Sequence, residues 1–282
     1  MYGKYFKELR QKRNLSIRQV ATDVVSPSTL SRWENDEITP NFNIIVKLLQ
    51  QIHVSPYEFI NYAHIQSYSL EIVKMNEAYF KKDIITLKLL FNDFFQQYKQ
   101  KANPHNLFIA GIASSFYFEL TKTKLLPQLY INKLAAYLSS VTYWSHYYLG
   151  IFGNTIPLLS DRLVFGLTNL IINDLEEIKD SGLELTLVAW TTILNSFAIL
   201  LKDQSPFVKK LYKRIKNLSI SSSLVSIRFR KKFLEALFRY QINQTGEESI
   251  YNMIEATKIL GLEEYYSDFY SLFVEIQTKL NH

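Results

Sequence analysis

The sequence predicts an all-α chain in two parts: a compact unit of five short helices over residues 1–66 and a solenoid of longer, paired helices over residues 67–282. Turn-formers are scarce. Eight glycines and seven prolines among 282 residues fall below half of the roughly 12% that average usage gives them, which argues against sandwiches, barrels and parallel sheets. The length is about twice the roughly 150 residues of a typical domain, so two domains are expected, with enough chain to bury a sizeable core. The helical segments also lengthen beyond about residue 66, and that change places the boundary.

The prolines punctuate the helices, because proline suits a first helical turn and costs roughly 3 kcal/mol in a helix interior. All seven read as helix starts. Five follow a residue able to cap, in Ser26-Pro27, Thr39-Pro40, Ser55-Pro56, Asn103-Pro104 and Ser205-Pro206, where a side-chain oxygen meets amides left unpaired. Ser16-Ile-Arg-Gln19 and Ser55-Pro-Tyr-Glu58 have the spacing of capping boxes. The first part thus divides into helices over about 3–13, 16–23, 27–35, 41–52 and 55–63. Farther on, Ile84, Leu87, Leu90, Phe91, Phe94 and Phe95 recur with helical period. Breaks near Asn103-Pro104, Leu126-Pro127, Gly153 to Pro157, Ser181-Gly182, Asp203 to Pro206, Ser221 to Ser223, Gly246 and Gly261 separate antiparallel pairs, whose stacking makes a solenoid. The uncharged run Leu185 to Leu201 reads as a buried helix, since it carries Thr186, Thr191, Thr192, Asn195 and Ser196 and falls short of the roughly 20 apolar residues of a membrane span.

Several function classes lack their ingredients. The chain has no cysteine, which excludes disulfides, thiolate metal sites, iron–sulfur clusters and cysteine nucleophiles. His53, His64, His105, His146 and His282 form no metal-binding pair, and neither a phosphate-cradling glycine loop nor a Gly-x-Ser-x-Gly elbow is present. No catalytic residue, cofactor or metal is expected. The amino terminus shows no secretory signal, so a cytoplasmic chain with no membrane partner is expected. The net charge of +6 permits a polyanionic partner.

Within the first part, Ala21 is a small residue where two central helices cross, and Val20, Val25, Leu30 and Trp33 are placed to set their angle. This is the pattern of a helix-turn-helix, whose second helix enters the major groove of duplex DNA. Starting at Ser26-Pro27, that helix presents Ser28 and Thr29 at the end that meets base edges, with Arg32 a turn further on and Arg18 and Gln19 at the start of the preceding helix. Lys12, Arg13, Asn41, Asn43 and Lys47 are expected phosphate contacts. Leu9-Arg-Gln-Lys-Arg-Asn-Leu-Ser-Ile-Arg-Gln-Val-Ala21 followed by Ser28-Thr-Leu-Ser-Arg-Trp-Glu-Asn35 resembles the phage-repressor type of helix-turn-helix. Between Ala21 and Glu34 the chain is one residue shorter than that pattern and reads Asp23-Val-Val-Ser26 where the turn usually has glycine. The shortened turn is similar to that of the Rgg family. So is Tyr143-Trp-Ser-His-Tyr-Tyr-Leu-Gly-Ile-Phe-Gly-Asn-Thr155, although Gly150 follows Leu149 where the family motif leads one to expect a charged residue.

The resemblance implies a dimeric, peptide-sensing transcription regulator, quorum sensing in its biology, whose TPR-like carboxy-terminal repeats bind a short hydrophobic pheromone. It implies that Arg10 and Glu34 form a partly buried ion pair that orients the second helix of the motif. Some family members join their DNA-binding domains by an intersubunit disulfide, and a cysteine-free homodimer must pair without one. Promoter DNA, a short hydrophobic peptide and a second copy of the chain are therefore the expected partners. The residues leave two other readings open, a helical domain that only dimerises and one that senses a small metabolite.

For the peptide, asparagine is the natural clamp, since its amide donates to and accepts from an extended backbone, while arginine grips a carboxylate in two places. Asn154, Asn169 and Asn195 are expected on the peptide backbone, and Arg162, Arg228 and Lys231 on an acidic group. Phe165, Leu194, Leu224 and Leu237 are the expected apolar walls, and Asn173 and Asn195 fit a second reading as bridges between helices. From Ser205 to Phe233 the chain carries Lys209, Lys210, Lys213, Arg214, Lys216, Arg228, Arg230, Lys231 and Lys232 and no acid. That stretch fits a solvated face, a carboxylate site or a further contact with the DNA backbone.

Overall fold

The computed structural model describes residues 2–65 and 70–280, and the chain divides into two compact units, 1–69 and 70–282. The boundary expected between residues 66 and 67 lies outside the described residues. No strand occurs among the described residues.

The first unit contains α1 (Gly3–Lys12), α2 (Ile17–Ala21), α3 (Pro27–Glu34), α4 (Phe42–Gln51) and α5 (Pro56–Tyr62). Both capping boxes close, with Ser16 Oγ accepting from the Gln19 amide while Gln19 Oε1 accepts from the Ser16 amide, and Ser55 with Glu58 likewise. At α4 the expected Thr39-Pro40 start gives way to Asn41, whose Oδ1 accepts from the Ile44 amide at 3.0 Å. In the shortened turn Asp23 has φ 61°, the left-handed conformation that a short polar side chain tolerates, so no glycine is required there. Gly3 is required, because a Cβ at this position would lie 1.7 Å from the Trp33 carbonyl oxygen.

Phe6, Val20, Ala21, Leu30, Trp33, Leu48 and Leu49 fill the core of this unit, with the Phe6 and Trp33 rings 4.7 Å apart. Into that core Arg10 of α1 sends two donors to Glu34 of α3, Nε to Oε1 at 2.6 Å and Nη2 to Oε2 at 2.7 Å, and Nη1 donates to the Leu15 carbonyl at 2.6 Å. The pair is nearly sealed from water, its side chains 8% and 1% exposed. Glu34 holds the Arg10 guanidinium above its ordinary pKa. Glu34→Ala strands the guanidinium, so we expect a loss of about 3–5 kcal/mol in urea unfolding of this unit, and a smaller loss for Arg10→Met with Glu34→Leu, which removes both charges.

The second unit runs α6 (Leu70–Phe80), α7 (Ile84–Lys101), α8 (Pro104–Thr121), α9 (Gln128–Ser139), α10 (His146–Thr155), a 3-10 turn (Ile156–Leu158), α11 (Asp161–Asn173), α12 (Leu175–Asp180), α13 (Leu183–Lys202), α14 (Val208–Ile215), α15 (Val225–Asn243), α16 (Glu247–Ile259) and α17 (Glu263–Leu280). The helix breaks fall where glycine, proline and serine clusters place them. Three prolines depart from a plain helix start: Pro127 is the residue before α9, Pro157 lies within the 3-10 turn, and Pro206 precedes α14 by two residues. There the Ser205 hydroxyl accepts from the Phe207 amide in a turn, which keeps it from capping the helix.

Helix α13 is the axis of this unit and packs against α10, α11, α12, α14, α15 and α17. It is long and apolar enough to cross a bilayer, yet 56% of its apolar window is buried inside the protein. Trp190, Ile193, Leu194, Phe197, Leu200 and Leu201 are all 0% exposed. Leu194 and Leu237 therefore belong to the packed interior, and the expectation that they wall a groove is corrected. Leu224 is buried as well, whereas Phe165 is half-buried and stacks on Phe207 at 5.2 Å. Trp144 and Phe152 of the aromatic motif are core residues, their rings 6.2 Å apart.

Candidate functional site

Each unit carries one candidate site. In the first, α3 turns Glu34 and Trp33 inward and Ser28 and Arg32 outward. Ser26 gathers the start of α3 around its hydroxyl, 3.0 Å from Ser28 Oγ and 2.8 Å from Thr29 Oγ1, and accepts from the Thr29 amide at 3.1 Å. Hydroxyl groups at a helix start are suited to base edges and phosphate oxygens. Arg18 is exposed on α2, as is Gln19, whose oxygen is taken by the Ser16 capping box and whose NH₂ faces outward as a donor. Arg13, Asn43 and Lys47 are also exposed, and Asn41 combines an exposed position with its capping bond. Lys12 differs, since its Nζ donates to the Tyr62 hydroxyl at 2.8 Å and Tyr62 in turn donates to Glu8 at 2.9 Å. Arg32 stands 3.4 Å from Glu37, both largely in solvent.

In the second unit a cavity of about 250 Å³ lies between α6, α8, α10 and α13. Asn154 and Asn195, two of the three asparagines expected on a peptide, meet there. Asn154 Nδ2 donates to the Gly150 carbonyl at 2.9 Å, which leaves its amide oxygen available as an acceptor. Phe80, Phe116 and Pro157 supply apolar walls, and Tyr79, Asn76 and Glu119 polar ones. The Tyr79 and Phe116 rings pack at 4.8 Å.

The other expected ligand residues are placed elsewhere. Asn169 donates to the Phe165 carbonyl at 2.9 Å, with its oxygen buried and unpaired, and does not line this cavity. Arg162 and Arg228 are exposed and do not line it either. Lys231 is buried, and its amino group donates to the Lys216 and Leu218 carbonyls, both at 3.1 Å, and lies 3.8 Å from Glu235. An ammonium has three donors, so the expected carboxylate role of Lys231 is corrected: it closes the chain that follows α14. Asn173 bridges helices, accepting from Arg214 at 2.7 Å. Arg230, one residue before Lys231, is the base that shares surroundings with Tyr265 and Asp268, where burial lowers its pKa.

Glu119, Tyr79 and Asp268 were not anticipated as site residues. Burial raises the Glu119 carboxyl above its ordinary range, although a hydrogen bond from Tyr79 and the charges of Lys202 and Lys122 oppose the rise. Burial likewise pushes the Tyr79 phenol up to about 12, with Glu119 and Asp268 adding to it. The charge of Asp268, on the last helix, thus reaches residues of α6 and α8. The sequence held one signal: Glu119 is the lone acid or base of lysine or arginine type in α8, Pro104–Thr121. A carboxyl whose folded pKa is raised carries no cost below its unfolded value, near 4.3, and destabilises as pH rises through the folded value. Glu119→Gln keeps an acceptor for Tyr79 and removes the charge. We expect it to melt about 2 °C above the parent at pH 7, the gap closing as pH falls to 4, in paired thermal melts.

The family described as HTH-type transcriptional regulator Rgg, C-terminal domain, matches residues 88–271, and the helix-turn-helix family matches residues 6–59. Among solved structures, the SHP pheromone receptor Rgg2 of Streptococcus dysgalactiae superposes with a TM-score of 0.78 at 18% identity, over 98% of this chain and 99% of that one. A regulator from Listeria monocytogenes EGD-e gives 0.75 at 17% identity, over 99% and 98% of the two chains. A bacterial peptide pheromone/receptor complex gives 0.68 at 15% identity over 98% of each. At these identities the superpositions establish the shared fold. The family match spans more than half of the chain, and the protein belongs to the Rgg family of helix-turn-helix transcriptional regulators.

Proposed function

We propose that the protein binds promoter DNA as a homodimer through α3 and that a short, mostly apolar peptide, seated in the cavity of the helical unit, controls it. The observation that carries the peptide reading is the meeting of Asn154 and Asn195 in a cavity with aromatic walls. Two amides on adjacent helices suit a ligand with regularly spaced peptide groups. Phe80 is 77% exposed, so a side chain laid against it removes apolar surface of both partners from water. Support also comes from the structural relative described as a peptide pheromone/receptor complex. The cavity favours this over a helical domain that only dimerises, since dimerisation leaves it without a role. Arg162, Asn169 and Arg228 remain candidates for the parts of a peptide that extend beyond the cavity.

On DNA, Ser28 and Thr29 are assigned to base edges and Arg18, Gln19 and Arg32 to the major groove and its flanking phosphates, with Lys12, Arg13, Asn41, Asn43 and Lys47 on the backbone. Two copies are needed because one short helix reads too few base pairs for selectivity in a genome. The peptide changes activity through its preference between two dimer arrangements, since equal affinity for both shifts nothing.

Two experiments test this. Promoter binding titrated at several salt concentrations should fall steeply with salt, and Arg18→Ala with Arg32→Ala should flatten the slope by about 1 for each phosphate left without its arginine; an unchanged slope and footprint overturns those roles. For the peptide, Asn154→Ala with Asn195→Ala should remove about 2 kcal/mol, roughly 30-fold in Kd, at about 1 kcal/mol for each hydrogen bond. Calorimetric titration of an apolar peptide library into the full chain and this variant measures it, and equal affinities overturn the asparagine clamp.

A further inference from the structure

We propose that the cavity selects a peptide by a positive charge, an ammonium or guanidinium group that docks on Glu119 between Tyr79 and the two asparagines. This rests on the peptide reading above and reverses the ligand charge that the basic residues of the sequence suggested. Glu119 is the one charged side chain that lines the cavity among the described residues. It is half-buried and forms no ion pair among them. The two cations whose fields reach it are engaged elsewhere. Lys202 pairs with Glu275 at 2.9 Å, and Lys122 donates to the backbone carbonyl of Glu119 at 3.1 Å. The Tyr79 phenol lines the same cavity and lowers the pKa of the carboxylate, so it favours the charged form.

A partly desolvated carboxylate without an ion-pair partner costs stability, and a bound cation repays the desolvation while adding charge-assisted hydrogen bonds. The surroundings favour a cation twice more. Asn154 and Asn195 can turn carbonyl oxygens toward it, and the Tyr79, Phe80 and Phe116 rings offer aromatic faces. An acidic ligand group would meet Glu119 as a like charge, with no base on the cavity wall to offset it.

The cation has two sources in a peptide, its free amino terminus and a lysine or arginine side chain. Four pools of carboxy-terminally labelled apolar hexapeptide amides separate them: free amine, N-acetylated, N-acetylated with one lysine, and N-acetylated with one aspartate. Fluorescence anisotropy against the full chain should show one or both cationic pools binding at least tenfold tighter than the neutral acetylated pool. The pool that gains identifies the source. Glu119→Gln should bring the cationic pools down to the neutral level, and Tyr79→Phe, which removes the hydroxyl that favours the charged carboxylate, should reduce the preference in part. Circular dichroism of both variants confirms the fold. Equal binding of neutral and cationic pools overturns the charge selection and leaves the peptide reading standing, as does tighter binding of the aspartate pool. Binding of none of the four overturns both.

Discussion

Helix α13 meets packed neighbours on almost every side, and that constraint organises the helical unit. A helix so enclosed has only a narrow solvated strip, so each buried polar residue needs a partner within reach. Its buried hydroxyls use the helix itself. Thr186 donates to the Gly182 carbonyl, Thr192 to Val188 and Ser196 to Thr192, at 2.8, 2.9 and 2.9 Å, each one turn back. Asparagine has both a donor and an acceptor to place, and Asn195 presents its amide to the cavity. The same constraint that makes α13 resemble a membrane span thus singles out the one amide on it that faces open space.

The regular parts of this architecture were legible because they rest on local chemistry. Capping at Ser16, Ser26 and Ser55 is decided within four residues, and those helices begin where the sequence indicates. Helix breaks at Ser181-Gly182, Gly246 and Gly261 are local for the same reason, each glycine having positive φ. At Pro40 the flanking residues Thr39 and Asn41 compete to start α4, at Pro206 a turn competes with a cap for the Ser205 hydroxyl, and the sequence ranks neither pair. Trp33, Arg10 and Glu34 were legible through the motif that carries them.

The site was less legible because its members come from separate helices and because neighbouring residues point in different directions. Successive residues on a helix are about 100° apart. Lys231 and Arg230 are equivalent in sequence, yet one closes the chain after α14 and the other faces Tyr265 and Asp268. Leu194 and Asn195 divide in the same way between core and cavity. Glu119 carried a signal in its isolation, an acid in a helix otherwise of apolar and uncharged residues. What distinguishes such a residue is its lack of charged neighbours on the helix, which no cluster of charge marks.

The first unit places a buried ion pair and an exposed one on the same short helix. Glu34 and Arg32 are two residues apart on α3 and so lie on roughly opposite faces. Glu34 is sealed against Arg10 by two hydrogen bonds and a third from Arg10 to the Leu15 carbonyl, which ties α3 to α1 and to the start of the motif. Removing one partner of such a buried pair is costly, so the tilt of α3 is held firmly. Arg32 has only a solvated contact with Glu37. A surface pair of this kind contributes at most about 1 kcal/mol and weakens with salt. Glu37 therefore restrains Arg32 without holding it, and in the proposed complex a phosphate or a base edge would displace the carboxylate at little cost. The buried pair supplies rigidity to α3, and on the proposed reading the exposed pair leaves Arg32 free to reach the DNA.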